Sequence, residues 1–220
     1  DFNQVAKYAD EYVCINAGQD GAWWMAVNHV LLTEAHHEKQ TPYFIDYCKK
    51  FTDAPYLVEL HEEEGAYRPG QLLRSGRLKA YDDIEHPEWK FLMWDATANR
   101  PKMPMGSSGY RWANKDKGKW NLLLQDGKDG SAIDPALTML GASDSVEQVW
   151  FDDFGEGRYV SRGVPVKRIE TADGKTVLVA TCYDLLMAQY GVGRGLEGDY
   201  PTSYDDETQP YSPFNDTPTT

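Results

Sequence analysis

The run Tyr12-Val13-Cys14-Ile15-Asn16-Ala17-Gly18-Gln19-Asp20-Gly21-Ala22-Trp23-Trp24-Met25-Ala26-Val27 carries the first decision about fold. Tyr12 to Ile15 is a short apolar stretch closed by Asn16, Ala17 and Gly18, a pattern that predicts a buried strand. Asp20 stands where a helix N-cap is expected, and Val30, Leu31 and Ala35 continue the helical spacing. Near its start this helix is apolar around most of its circumference, which predicts burial there. Its far end turns polar from Glu34 to Lys39. Strand, glycine turn and capped helix together predict an α/β unit.

The same turn has a chemical reading. A glycine lets backbone approach a ligand closely, and the open amides of a helix start favour a phosphate or a polar ring. A carboxylate at Asp20 can accept two parallel N–H bonds from the ring N–H and amino group of guanine. The plainer alternative makes Gly18 a turn residue and Asp20 a cap, and on spacing alone it carries more weight.

Working outward, residues 3–9 read as a helix end. Thr41 can cap a second helix with Pro42 at its first position, running through Phe44, Ile45, Cys48 and Phe51. Tyr56 to Leu60 predicts a strand, and Arg68 to Tyr81 reads as short pieces with a turn of helix near Gln71 to Leu73. Trp89 to Asp95 predicts a strand. About 50 residues rich in Gly, Asp, Lys and Ser follow, long enough to suggest an excursion anchored by Tyr110, Trp112 and Trp120. Val146 to Phe154 fits a brief helix or strand. Val164 to Glu170 and Thr176 to Ala180 flank Asp173-Gly174, a hairpin signal that expects positive φ at that pair. Tyr183 to Tyr190 predicts a helix stopped by Gly191, and the tail from Glu197 has no packing pattern. The expected organisation is 1–87 as α/β domain, 88–160 as irregular insertion, 161–196 as hairpin and helix, and 197–220 as loose tail. No internal repeat is visible.

The formal charge of −13 would repel a nucleic-acid backbone, and no basic stripe offsets it. Cys14, Cys48 and Cys182 are far apart, odd in number and without a C-x-x-C pair, which argues against disulfides and against an iron–sulfur or zinc site in these residues. They fall in or beside apolar runs and read as core filler. His29, His36 and His37 invite a metal reading, but no H-E-x-x-H pattern or third ligand supports it, so an exposed helix end holding imidazoles is the favoured reading. Glu62-Glu63-Glu64 and Asp152-Asp153 read as solvated acids rather than paired general acids. Arg111 and Trp112 have no spacing argument for a cofactor contact. No window has the roughly 18 to 20 apolar residues of a membrane span. The chain opens on Asp1, and a fragment of a longer protein is the expectation.

Several stretches resemble the catalytic subunit of respiratory nitrate reductases and nitrite oxidoreductases, in the molybdenum-bis(molybdopterin guanine dinucleotide) family. Gly18-Gln19-Asp20-Gly21-Ala22 is similar to that family's Gly-Thr-Asp-x-Ala element, which lies against the guanine end of the cofactor; Gln19 replaces the usual Thr. The narrower likeness is the ordered set Tyr43 to Tyr47, Thr52 to Val58, Gly118 to Leu122, Tyr183 to Leu185 and Thr202 to Asp206.

The resemblance implies an internal piece of a cofactor-binding α/β domain, with Gly18, Gln19 and Asp20 as cofactor-binding residues and no catalytic residue or metal ligand of its own. It implies a parent that interconverts nitrate and nitrite by oxygen-atom transfer. The parent's molybdenum aspartate and 4Fe-4S cluster would lie outside this segment, leaving the segment alone inactive. Expected partners are an iron–sulfur beta subunit and a membrane or haem electron-transfer subunit, in a membrane-associated complex. The alternatives are a related molybdopterin oxidoreductase acting on chlorate, selenate or a hydrocarbon, and a non-enzymatic α/β binding module.

Overall fold

The strands Leu57–Glu63 (β1), Ala66–Leu72 (β2), Ser145–Asp153 (β5), Arg158–Glu170 (β6) and Thr176–Thr181 (β7) form a closed barrel in the order β1-β2-β5-β6-β7, with β7 returning to β1. A separate two-stranded sheet pairs Met93–Asp95 (β3) with Arg100–Lys102 (β4). The computed structural model describes residues 4–105, 123–153 and 158–200. Its helices are Asp20–Val30 (α1), which runs on through a π-helical stretch at Leu31–Glu38 to make the first helical segment, Pro42–Phe51 (α2) and Cys182–Gln189 (α3), with 3-10 turns elsewhere. The chain therefore mixes α and β structure as expected.

The period-2 alternation of side chains explains how β1 serves two cores. Val58 and Leu60 face one way, packing with Val149, Phe151, Val164, Val166 and Ala180. Leu57 faces the other way, joining Leu73, Leu92, Ile169 and Val179. Each such aliphatic side chain, taken fully out of water, contributes about 1.5–3 kcal/mol. All barrel pairings are antiparallel except β2 with β5, which meet in parallel at Tyr67 and Val149. The β1–β2 register shifts between Val58 and Leu60. Gly70 sits opposite that irregularity, where an added Cβ would come within 2.2 Å of the His61 ring and 2.8 Å of the Glu59 carbonyl. Only glycine permits that approach.

α3 joins the barrel to the helical layer. Its Leu185 and Ala188 complete the barrel core, while Tyr183 and Met187 on its other side pack with Leu32 and Cys48. Thr181 caps it, its hydroxyl accepting from the Asp184 amide at 3.0 Å. Arg162 of β6 crosses its far end and donates to the carbonyls of Ala188 (2.6 Å) and Gln189 (2.9 Å), where a cation is favoured by the helix dipole.

Several local expectations are corrected. Tyr12 to Ile15 forms no strand, because among the described residues no neighbouring strand takes its backbone hydrogen bonds. Gln71 and Leu72 belong to β2 rather than to a helical turn, and Leu73 donates its amide across to the Leu57 carbonyl at 2.7 Å. The strand expected over Trp89 to Asp95 shortens to Met93–Asp95, since a 3-10 turn at Pro87–Trp89 precedes it. Val146 is strand, in β5. In the β6–β7 hairpin only Gly174 takes positive φ, at 76°. The Thr171 amide bonds the Lys175 carbonyl at 2.8 Å, so the loop is longer than a two-residue turn. The aromatic anchors Tyr110, Trp112 and Trp120 lie outside the described residues, as do Gly118 to Leu122 and Thr202 to Asp206. No described helix is long and apolar enough to cross a membrane.

Candidate functional site

The turn before α1 is built by two backbone events. Gly18 adopts φ 86°, in the left-handed region that only glycine enters without strain, and the Gln19 amide folds back on the Asn16 carbonyl at 3.1 Å. Helical bonding begins when the Trp23 amide meets the Gln19 carbonyl at 3.0 Å. The amides of Asp20, Gly21 and Ala22 stand ahead of that bond as the open donors of a helix start.

Sequence placed the cap one residue late. Gln19 is the N-cap residue, without a side-chain cap bond, and Asp20 is the first residue of the helix. Asp20 is exposed, and among the described residues nothing hydrogen-bonds its carboxylate. The structure thus brings Gly18, Gln19 and Asp20 together on an open surface, with no atom within 4 Å of the space a Cβ on Gly18 would occupy. The positive φ, rather than crowding, is what demands glycine here.

These features suit the nucleotide end of a cofactor. The amides point outward where partial positive charge accumulates, and the carboxylate beside them has two oxygens to offer a ring N–H and an exocyclic amine. The rest of α1 departs from expectation. Trp23 and Trp24 are 40% and 62% exposed, although the sequence predicted burial at the helix start, and Met25 alone in that turn is buried. The described residues provide no surface to cover the tryptophans.

The histidines are placed differently from an exposed helix end. His29 is buried, its Nδ1 2.6 Å from the Tyr190 carbonyl, and burial holds its pKa below the ordinary histidine value. His36 is also buried, between the rings of Phe44 (centroids 5.0 Å apart) and Tyr183 (4.9 Å, edge-on). Burial first, then the nearby charges of Arg194 and His37, push its pKa down to about 4. Both residues seat the first helical segment on α3. Among the described residues no group of three or more His, Cys, Asp or Glu side chains converges as a metal would require.

Of the three cysteines, Cys48 is buried, Cys182 is partly buried, and Cys14 is exposed because the run around it is not a strand. Burial and then the charge of Asp53 raise the Cys182 thiol to about 12, and burial also raises Cys48. Neither suits a thiolate chemistry. Glu63 and Asp152 both pair with Arg68, at 2.6 and 3.0 Å, and form no acid couple. Arg111 lies outside the described residues. The residues that sequence reasoning passed over are Asp184 and Arg194. They form a buried ion pair at 2.8 Å, for which the sequence offered only the place of Asp184 in the first turn of α3 as a signal.

No family model matches the chain. It is 39% identical to the respiratory nitrate reductase 1 alpha chain of Escherichia coli, over 97% of this chain and 18% of that protein. It is 38% identical to the nitrate reductase alpha subunit of Mycobacterium tuberculosis and 35% identical to the nitrate reductase alpha chain of Bacillus subtilis, in each case over 97% of this chain and 17% of the relative. The chain therefore spans less than a fifth of the length of these relatives.

Proposed function

We propose that this chain belongs to the nitrate reductase alpha-chain family and forms one wall of the guanine-nucleotide site in a molybdenum enzyme interconverting nitrate and nitrite. The observation that carries the proposal is the turn itself. Gly18 is held at φ 86°, and among the described residues nothing bonds three helix-start amides or the Asp20 carboxylate, Gln19 occupying the cap position.

The group implied is a molybdenum-bis(molybdopterin guanine dinucleotide), which when bound supplies the oxygen-atom transfer between nitrate and nitrite. Asp20 would hold guanine by accepting from its ring N–H and amino group. The amides of Gly21 and Ala22 would favour negative charge near the helix start. Gln19 stands where the family carries Thr and presents an amide side chain there instead of a hydroxyl. The 4Fe-4S cluster, the molybdenum ligand and the electron-transfer subunits belong in this reading to the remainder of a longer, membrane-associated assembly.

The test uses the full-length enzyme. Asp20→Ala removes two charge-assisted bonds, so cofactor affinity should fall on the order of ten- to a hundredfold. The deficit is read as guanine nucleotide and molybdenum retained after gel filtration. Equal guanine and molybdenum content in variant and wild type would remove Asp20 from the site.

A further inference from the structure

Far along the helical layer from the Gly18 turn, a cleft of about 280 Å³ opens between the first helical segment, α2 and α3, lined by His36, Ile45, Lys49, Leu137, Tyr183 and Arg194 among others. Arg194 is held at φ 50°, a left-handed conformation unusual for a residue with a Cβ, and its side chain is only 3% exposed. Its Nη1 is committed, donating to Asp184 Oδ1 at 2.8 Å and to Thr138 Oγ1 at 3.2 Å. Its Nε and Nη2 are buried without a hydrogen-bond partner among the described residues. The Tyr183 hydroxyl and His36 Nδ1, on residues lining the same cleft, are buried and unpartnered as well.

Four such atoms, on three residues that line one cleft, call for an occupant. A buried donor left unsatisfied costs about 1–3 kcal/mol, and native interiors hold few of them. The chemistry of the vacant groups says what the occupant is. Nε and Nη2 lie along one edge of the planar guanidinium and point the same way, at the spacing of two oxygens on a trigonal carbon or nitrogen. Asp184 does not compete for that edge. Its oxygens already accept from Thr138 Oγ1 (2.5 Å), the Met139 amide (2.7 Å) and Thr181 Oγ1 (3.0 Å), besides Arg194 Nη1. At the rim, Lys49 pairs with Asp134 at 2.9 Å, so the cleft carries no uncompensated acid against an incoming anion.

We propose that this cleft binds a planar oxyanion, of carboxylate or nitrate shape, held bidentately on the Nε–Nη2 edge of Arg194 with the Tyr183 hydroxyl as a third donor. Two sources share that chemistry: a small free anion, or an Asp or Glu side chain from another segment of the longer polypeptide.

The full-length subunit in its complex distinguishes them. A structure at hydrogen-bond resolution is expected to show planar density within about 2.7–3.2 Å of both nitrogens. Density continuous with an Asp or Glu identifies the internal source. Isolated density, lost on exhaustive dialysis together with a fall in thermal midpoint that acetate or formate restores, identifies the free anion. Ordered water alone on Arg194, with a midpoint indifferent to acetate and formate, overturns the proposal. In the free-anion case Arg194→Lys, which keeps the charge opposite Asp184 but lacks the fork, should weaken acetate binding roughly tenfold or more. Unchanged acetate affinity in that variant also overturns it. If the variant does not fold, the wild-type structure and titration still decide.

Discussion

In the barrel, Leu57, Val149, Val164 and Val179 are wholly enclosed by strands and loops of this chain, whereas on α1 and α2 Trp24, Tyr43 and Phe51 turn their rings outward. Tyr43, Tyr47 and Phe51 even line up along one exposed face of α2, with ring centroids 6.4 and 5.2 Å apart in succession. Both regions carry enough apolar residues to build a core. They differ in whether the described residues supply the other side of it. The barrel closes on itself, with β2 reaching β5 at the Tyr67–Val149 pair. The helical layer has one face on α3 and another against which no described residue packs. A chain spanning less than a fifth of its relatives' length is expected to show such a contrast. The barrel should hold its shape alone, and the helices should depend on what covers them.

The sharpest way to break that comparison is at the junction. Asp184 is fully buried and binds Arg194, Thr138, the Met139 amide and Thr181, tying the barrel end, the 138–139 loop and α3 together. Asp184→Ala leaves the Arg194 charge buried without its partner and should cost about 3–5 kcal/mol. Urea denaturation of the 220-residue chain measures the loss. A midpoint unchanged from wild type would mean that α3 does not couple the two regions.

How much of this was readable beforehand divides along the same line. The β6–β7 hairpin, α2 behind Pro42 and α3 ahead of Gly191 were legible because their signals are local: turn residues, a helix-starting proline and a fixed period of apolar positions. Barrel closure was not legible, since β1 meets β7 and β2 meets β5 across more than 75 residues of sequence, and no local pattern encodes such pairings. The Gly18 turn was legible from glycine and the acid after it. The strand before it was not, because four apolar residues look alike whether or not a neighbour exists to bond them. The Arg194 cleft was hidden for a related reason. Its parts come from positions 36, 183 and 194, and no spacing links them.

A paired substitution measures the contrast itself. Leu57 is fully buried among Leu73, Leu92 and Val179, so Leu57→Ala removes packed methyl groups and should cost about 2–5 kcal/mol. Trp24→Ala removes a larger side chain from a mostly exposed position and should change stability of the isolated chain by no more than about 0.5 kcal/mol. Amide exchange gives the same comparison without mutation: barrel amides should exchange roughly a thousandfold more slowly than those of α1. Equal costs for the two substitutions, or equal protection in the two regions, would show that the helical layer is closed by its own contacts.

The seam between the helical layer and α3 should also respond to pH. His36 is pushed down to about 4 in the folded protein and returns to the ordinary histidine value near 6.5 on unfolding. Between those values the unfolded chain binds a proton that the folded chain refuses. The contribution of a neutral His36 is therefore fully present above pH 6.5 and is lost as pH falls toward 4. His36→Phe should flatten the stability profile in that window while leaving it unchanged above pH 7. A slope between pH 6.5 and 4 that is identical in the two proteins would show that His36 is not buried as a neutral ring.

The gentlest probe leaves stability untouched. Cys14 lies exposed in the segment before α1, while Cys182 at the start of α3 has its thiol raised to about 12 and Cys48 is buried against α3. At pH 8 only roughly one Cys182 in ten thousand is a thiolate, and the thiolate is the species that attacks an alkylating reagent. Iodoacetamide applied to the folded 220-residue chain should therefore label Cys14 first and alone, read by peptide mass. Cys182 and Cys48 should follow only when denaturant opens the junction. Labelling of Cys48 ahead of Cys182 at intermediate denaturant is the expected order, because Cys48 belongs to the helical layer whereas Cys182 begins the helix that completes the barrel core. The reverse order would place the weaker packing in the barrel and invert the comparison.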